Sequence, residues 1–93
     1  MSEVTLTARP RLGPHARLQW DPVREKQVLL APEKVLVLNE TAAAILAFCD
    51  GQHTVAAIAA TLTARYNRAV DQDVLTLLER LLDRRLIEVD DDE

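Results

Sequence analysis

The chain is 93 residues long, 48% hydrophobic and 28% charged, with a formal net charge of -4, which fits one small globular domain. The acidic balance argues against general attraction to nucleic acid or anionic lipid, no stretch approaches the roughly 18 apolar residues of a membrane span, and the first residues lack the apolar core of a signal peptide. Cys49 is the only cysteine, so there is no internal disulfide framework, and a lone thiol suits a reducing cytoplasm.

Residues 1–15 hold Pro10, Gly13 and Pro14 and keep no period. They are expected as a flexible N-terminal arm, in which VTLT could form a strand only beside a supplied edge. From Ala16 the pattern sharpens. ARLQW alternates, with Ala16, Leu18 and Trp20 on one face, and reads as a half-buried strand. DPVRE is a turn, KQVLLA a second strand, PEK a tight connection and VLVL a third strand, so the three make an antiparallel meander. Asn39 is placed to cap a helix with Glu40 in its first turn. Ala42, Ile45, Leu46 and Cys49 share its apolar stripe, and Asp50 and Gly51 close it. Thr54 caps a second helix through Tyr66, and Asp71 is expected to cap a third that reaches about Arg84. LIEV either returns as a short strand or stops, and the acidic residues 90–93 read as a solvated tail. The fold class expected is α+β: a small three-stranded antiparallel sheet followed by three helices, occupying 16–89.

The third strand raises a difficulty. Val35 and Val37 face one way and Leu36 and Leu38 the other. Three short helices cover one face of a small sheet, so one of these pairs lacks cover. At the sheet edge the strand would offer free N–H and C=O groups with none of the charges or prolines that usually block such an edge. The third helix repeats the hint, because Val74, Leu75, Leu77, Leu78, Leu81 and Leu82 spread over about 160°, wider than the roughly 100° stripe a core contact needs. An open edge beside a leucine-rich helix suits an extended peptide. Burial in an ordinary core, or in a homodimer, accounts for the same residues.

Other chemistry is thinly represented. Cys49 lies on an apolar stripe, His53 lies past Gly51, and two His with one Cys make no zinc pattern. No glycine-rich phosphate loop is present. The second and third helices beside a small sheet have a winged-helix layout, for which duplex DNA is the obvious ligand. The third helix, however, sets Asp71, Asp73, Glu79 and Asp83 against Arg80, Arg84 and Arg85, and phosphate binding needs a clearly basic surface.

The order RLQWD, VLLAPE, LNETAAAIL, DGQHTV and then DVLTLLERLLDRRLIEV resembles the PqqD family of pyrroloquinoline quinone (PQQ) biosynthesis, over about residues 9–89. The resemblance implies a winged-helix-like peptide recognition domain with no catalysis and no cofactor of its own. It implies binding of the ribosomal precursor peptide PqqA and its presentation to PqqE, a radical S-adenosylmethionine enzyme that joins a Glu and a Tyr side chain. In the family the leader adds to the third strand and lies against the third helix. Carried over, it runs along Val35, Leu36, Val37 and Leu38 and faces Val74, Leu75, Leu78 and Leu82. One departure is that Arg84 and Arg85 stand where many relatives have Gly before the final apolar pair. Two other readings remain, a winged-helix DNA-binding regulator and a homodimeric assembly module.

Overall fold

A computed structural model describes residues 4–91. Eight elements follow in order: β1 (Ala8–Leu12), β2 (Arg17–Asp21), β3 (Lys26–Ala31), β4 (Lys34–Val37), α1 (Glu40–Ala47), α2 (Val55–Tyr66), α3 (Asp71–Asp83) and β5 (Ile87–Asp91). The class is the expected α+β, with the antiparallel sheet β2-β3-β4 and three helices, to which the structure adds a two-stranded sheet of β1 and β5.

Turn chemistry sets the meander. The Asp21 carboxylate accepts from the amides of Val23 and Arg24 at 3.0 and 3.3 Å, and Arg24 closes on it at 2.6 Å. The Arg24 side chain is the main cause that holds this carboxyl below its ordinary value. Between β3 and β4 only Pro32 and Glu33 intervene. Proline presets the first turn position, and Glu33 takes φ 62° at the second.

The register pairs Leu18, Leu29 and Leu36 across the sheet on the face that meets the helices. Leu29 is fully buried there and packs with Leu38, Ile45, Leu46, Val55, Ile58 and Leu62. On the opposite face Val28 of the central strand is buried, but on the outer strand Val35 and Val37 are 56% and 47% exposed. The difficulty posed by the third strand is thereby resolved: Leu36 and Leu38 have cover, while Val35 and Val37 do not. Trp20 was expected inside with Leu18 but is 51% exposed. It sits near the end of β2, an outer strand, beyond which no further strand packs.

Asn39 caps α1 by accepting the Ala42 amide at 2.7 Å, and Thr54 caps α2 through Ala57 at 3.1 Å. Asp71 does not cap α3. The N-cap position is Val70, whose amide donates to Thr63 Oγ1 at 3.3 Å, while Asp71 receives the Thr63 hydroxyl at 3.5 Å. The start of α3 thus has no side-chain cap, and the α2 threonine ties Val70 and Asp71 to α2 instead.

The expected loose arm is largely ordered. Residues 8–12 pair with β5 from Ala8↔Asp91 to Leu12↔Ile87. Pro10 is fully buried, and its carbonyl accepts the Gly51 amide at 2.9 Å. Arg11 reaches both Glu88, at 2.9 Å, and Asp90. Val4, in the segment expected to need a supplied edge, is also buried, at 6% exposure. The acidic end is likewise part of the fold, since β5 continues through Asp90 and Asp91. The remainder of the arm and tail, residues 1–3 and 92–93, lies outside the described residues.

Candidate functional site: an open strand edge beside a cleft

β4 is an outer strand of its sheet, with β3 on one side. Antiparallel ladders alternate hydrogen-bonded and non-bonded pairs. The Leu38 amide donates to the Gln27 carbonyl at 3.0 Å, which makes Gln27/Leu38 a bonded pair. Leu29/Leu36 and Ala31/Lys34 are then bonded as well. Val28/Val37 and Leu30/Val35 fall between them, so the N–H and C=O of Val35 and Val37 point away from β3. These four groups have no backbone partner among the described residues and form a short template for another strand.

Beside this edge lies a hollow of about 200 Å³, lined on the strand side by Leu36, Val37 and Leu38 and on the helix side by Leu77, Arg80, Leu81 and Arg84. A second hollow of about 380 Å³ shares Asn39, Ala42, Leu77 and Arg80 with it and extends to Thr76, Asp73 and Arg68. At the opposite end, Arg84 also borders a depression with Lys34, Arg85 and Glu88. The seam therefore runs from Lys34 toward Asn39 on β4 while running from Arg84 back toward Asp73 on α3. Strand and helix lie side by side in opposite senses.

The eight residues expected at the peptide site fall into two groups. Leu36, Val37 and Leu38 line the cleft, and Val35 adjoins it on the open edge. On α3, Val74 and Leu78 are fully buried and offer no surface, because the centre of the apolar arc faces the core. Leu75 and Leu82 are half-buried and do not line this cleft. The border that approaches β4 is the Leu77/Leu81 one, with Arg80 and Arg84 alongside. Arc width showed that one border is spare, but which one meets the strand depends on how the helix is rotated against the sheet, and periodicity carries no record of that.

The remaining reactive groups lie elsewhere. Cys49 is buried, its Sγ lies 3.4 Å from the Ile45 carbonyl, and burial is the main cause that pushes the thiol up to about 12, with the neighbouring Asp50 adding to it. It is thus a protonated core residue at neutral pH. His53 Nδ1 lies 3.0 Å from Asp50 on the surface. Among the described residues, no three His, Cys, Asp or Glu side chains are grouped to hold a metal ion, and no helix is long and apolar enough to cross a membrane.

Comparison with known proteins gives one consistent match. The family model for Coenzyme PQQ synthesis protein D (PqqD) matches residues 26–87. A PqqA binding protein of Stutzerimonas stutzeri (strain A1501) is 44% identical over 91 residues, 96% of this chain and 99% of that one. A PqqA binding protein of Rhodopseudomonas palustris (strain TIE-1) is 46% identical over 84 residues, 87% and 82% of the two chains. Among solved structures, the solution NMR structure of the PqqD truncation of Methylobacterium extorquens PqqCD superposes with a TM-score of 0.73 at 40% identity, covering 85% of this chain and 87% of that one. That truncation is described as a functional, stand-alone recognition element for ribosomally synthesized and post-translationally modified peptides.

Proposed function

This chain belongs to the PqqD family, and from that premise we propose that it binds the precursor peptide PqqA and presents it to the radical S-adenosylmethionine enzyme PqqE. The peptide adds a strand to β4, bonding to the outward N–H and C=O groups of Val35 and Val37. Side chains on the inner face of the added strand enter the hollow between Leu36, Leu38, Leu77 and Leu81. Backbone bonds supply affinity independent of sequence, and the hollow supplies selectivity. The observation that carries this reading is the unpaired edge of β4 next to an apolar-floored cleft, in a chain similar to proteins named for binding PqqA.

The protein's part is non-catalytic. Ordering a flexible leader on a preformed edge lowers the entropic cost of docking and raises the local concentration of the reacting segment at the enzyme. The cluster and S-adenosylmethionine chemistry belong to the enzyme.

The test is an NMR titration of labelled protein with synthetic PqqA peptide. Saturable shifts centred on the amides of Val35, Val37, Leu77 and Leu81, with exchange protection gained at Val35 and Val37, are expected. Saturation with shifts confined to β2 or the outer sheet face would overturn the placement, and no binding by the unaltered protein would overturn the function.

A further inference from the structure

The cleft beside β4 differs in charge from the rest of the molecule. The chain is net acidic at -4, yet the seam along α3 is bordered by Lys34, Arg68, Arg80, Arg84 and Arg85. Among the described residues two carboxylates line it, and each is already engaged: Asp73 by Arg68 at 3.3 Å, and Glu88 by Arg11 at 2.9 Å. Arg80, Arg84, Arg85 and Lys34 make no ion pair among the described residues. Four cations thus flank a groove with a leucine floor, while its two bordering carboxylates pair with other arginines.

Their spacing is also informative. Arg80 and Arg84 are one helical turn apart, about 6 Å along the α3 axis. Alternate residues of an extended strand, which share one face, are about 6.6 Å apart. Because α3 and β4 run side by side, a strand laid on β4 meets these two guanidinium groups with side chains two positions apart. Arg85 adds a separate sign. It holds φ 60°, in the left-handed region where glycine is the least strained choice, so a cationic side chain stands at the mouth of the seam at a conformational cost.

We infer that the β4–α3 cleft selects an acidic peptide, one whose added strand carries carboxylates at alternate positions facing α3 and pairing with Arg80 and Arg84, with Lys34 and Arg85 receiving a further carboxylate at the seam's mouth. This rests on the peptide-binding reading above and adds to it a rule for selection. Apolar contacts and edge bonds tolerate many sequences and either strand direction. A row of cations along one wall rejects peptides that present Lys or Arg there and fixes which residues face the helix. An acidic peptide is also repelled by the remainder of this acidic surface, which concentrates productive encounter on the one basic seam.

The experiment measures fluorescence anisotropy with labelled PqqA leader, against the same leader with every Asp and Glu changed to Asn and Gln. The protein is used unaltered, as Arg80→Glu/Arg84→Glu, and as Arg65→Glu, a control for net charge outside the cleft. Both cleft arginines are exposed, and thermal melts confirm that each variant folds. Expected are a tenfold or greater loss of affinity in the double variant, a comparable loss for the neutral leader with the unaltered protein, little change with Arg65→Glu, and weakening as salt rises from 50 to 300 mM. Equal binding of both leaders, or an unaffected folded double variant, overturns the acidic selection while leaving peptide binding intact. Failure of the unaltered protein to bind either leader overturns peptide binding itself, and this inference with it. Displacement of the leader by duplex DNA at the same salt would show that the cations serve phosphates, and would overturn it as well.

Discussion

Arg85 shows how much a single backbone angle contributes. The Arg85 amide donates to the Leu82 carbonyl at 3.0 Å and the Leu86 amide to the Leu81 carbonyl at 2.9 Å, which is the bond pair of a Schellman stop with Arg85 at its left-handed position. Leu86 and Leu81, its usual apolar partners, are both buried. An L-residue other than Gly, Asn or Asp in this region costs about 1–2 kcal/mol, and the greater freedom of glycine in the unfolded chain returns part of that to any glycine variant. Arg85→Gly is therefore expected to raise unfolding free energy by about 0.5–1 kcal/mol, measured in urea, while weakening the acidic leader. A variant that is both more stable and equally tight would show that the side chain has no role at the mouth of the cleft. The resemblance implies a glycine before the final apolar pair, where this chain has Arg84 and Arg85, but it does not tell which of the two arginines takes the left-handed conformation.

At the scale of the element, β4 separates its inner and outer backbone groups by residue parity. Lys34, Leu36 and Leu38 bond inward to β3, and Val35 and Val37 face outward. Proline removes one donor, so its effect depends on which set it enters. Val37→Pro removes an edge donor and leaves the β3 ladder whole, as proline in an edge strand can. It is expected to melt within a few degrees of the parent and to bind leader at least tenfold more weakly. Leu36→Pro removes a ladder bond and a buried side chain together and is expected to cost about 3 kcal/mol or more, read from the same melts. If folded Val37→Pro binds like the parent, strand addition at β4 is refuted. Much of this element was legible in advance. The run of KQVLLA, PEK and VLVL gave strand, turn and strand within a residue of the observed bounds, and Asn39 and Thr54 cap as their types and positions imply. The helical wall of the cleft was less legible. The apolar arc on α3 identifies which residues seek apolar surroundings, but the rotation that buries Val74 and Leu78 and turns Leu77, Arg80, Leu81 and Arg84 toward β4 is settled by packing against α1, α2 and β5.

For the whole molecule, the least legible feature was the closing sheet. ARPRL alternates apolar and charged residues, but its central proline and the prolines and glycine around it speak against a paired strand. Its partner lies at the other end of the chain, where β5 supplies ladder groups and Glu88 and Asp90 supply counter-charges for Arg11. A pairing of such sequence separation is invisible to a reading by windows, and its loop-closure cost is met only once the helices have assembled. The contribution is nonetheless large. Removing residues 1–12 would strip Ala8, Pro10 and Leu12 from the core and expose Ile87, which is 1% accessible. A loss on the order of 3 kcal/mol in urea unfolding is expected, with the amides of β5 losing exchange protection before those of β3. Unchanged stability would mean that β1 is only laid on the surface.

The same pairing gives the outer ends of β1 and β5 a common position. Ala8 and Asp91 are register partners, so the first residue of β1 and the last of β5 stand at the same corner of the molecule. The opposite end of that sheet, Leu12 and Ile87, leads into residues that border the Lys34 end of the cleft. Four residues of strand, roughly 13 Å, separate the two ends of the sheet. The Ala8–Asp91 corner thus stands at one fixed remove from the bound peptide, whichever of the two strands it is reached along.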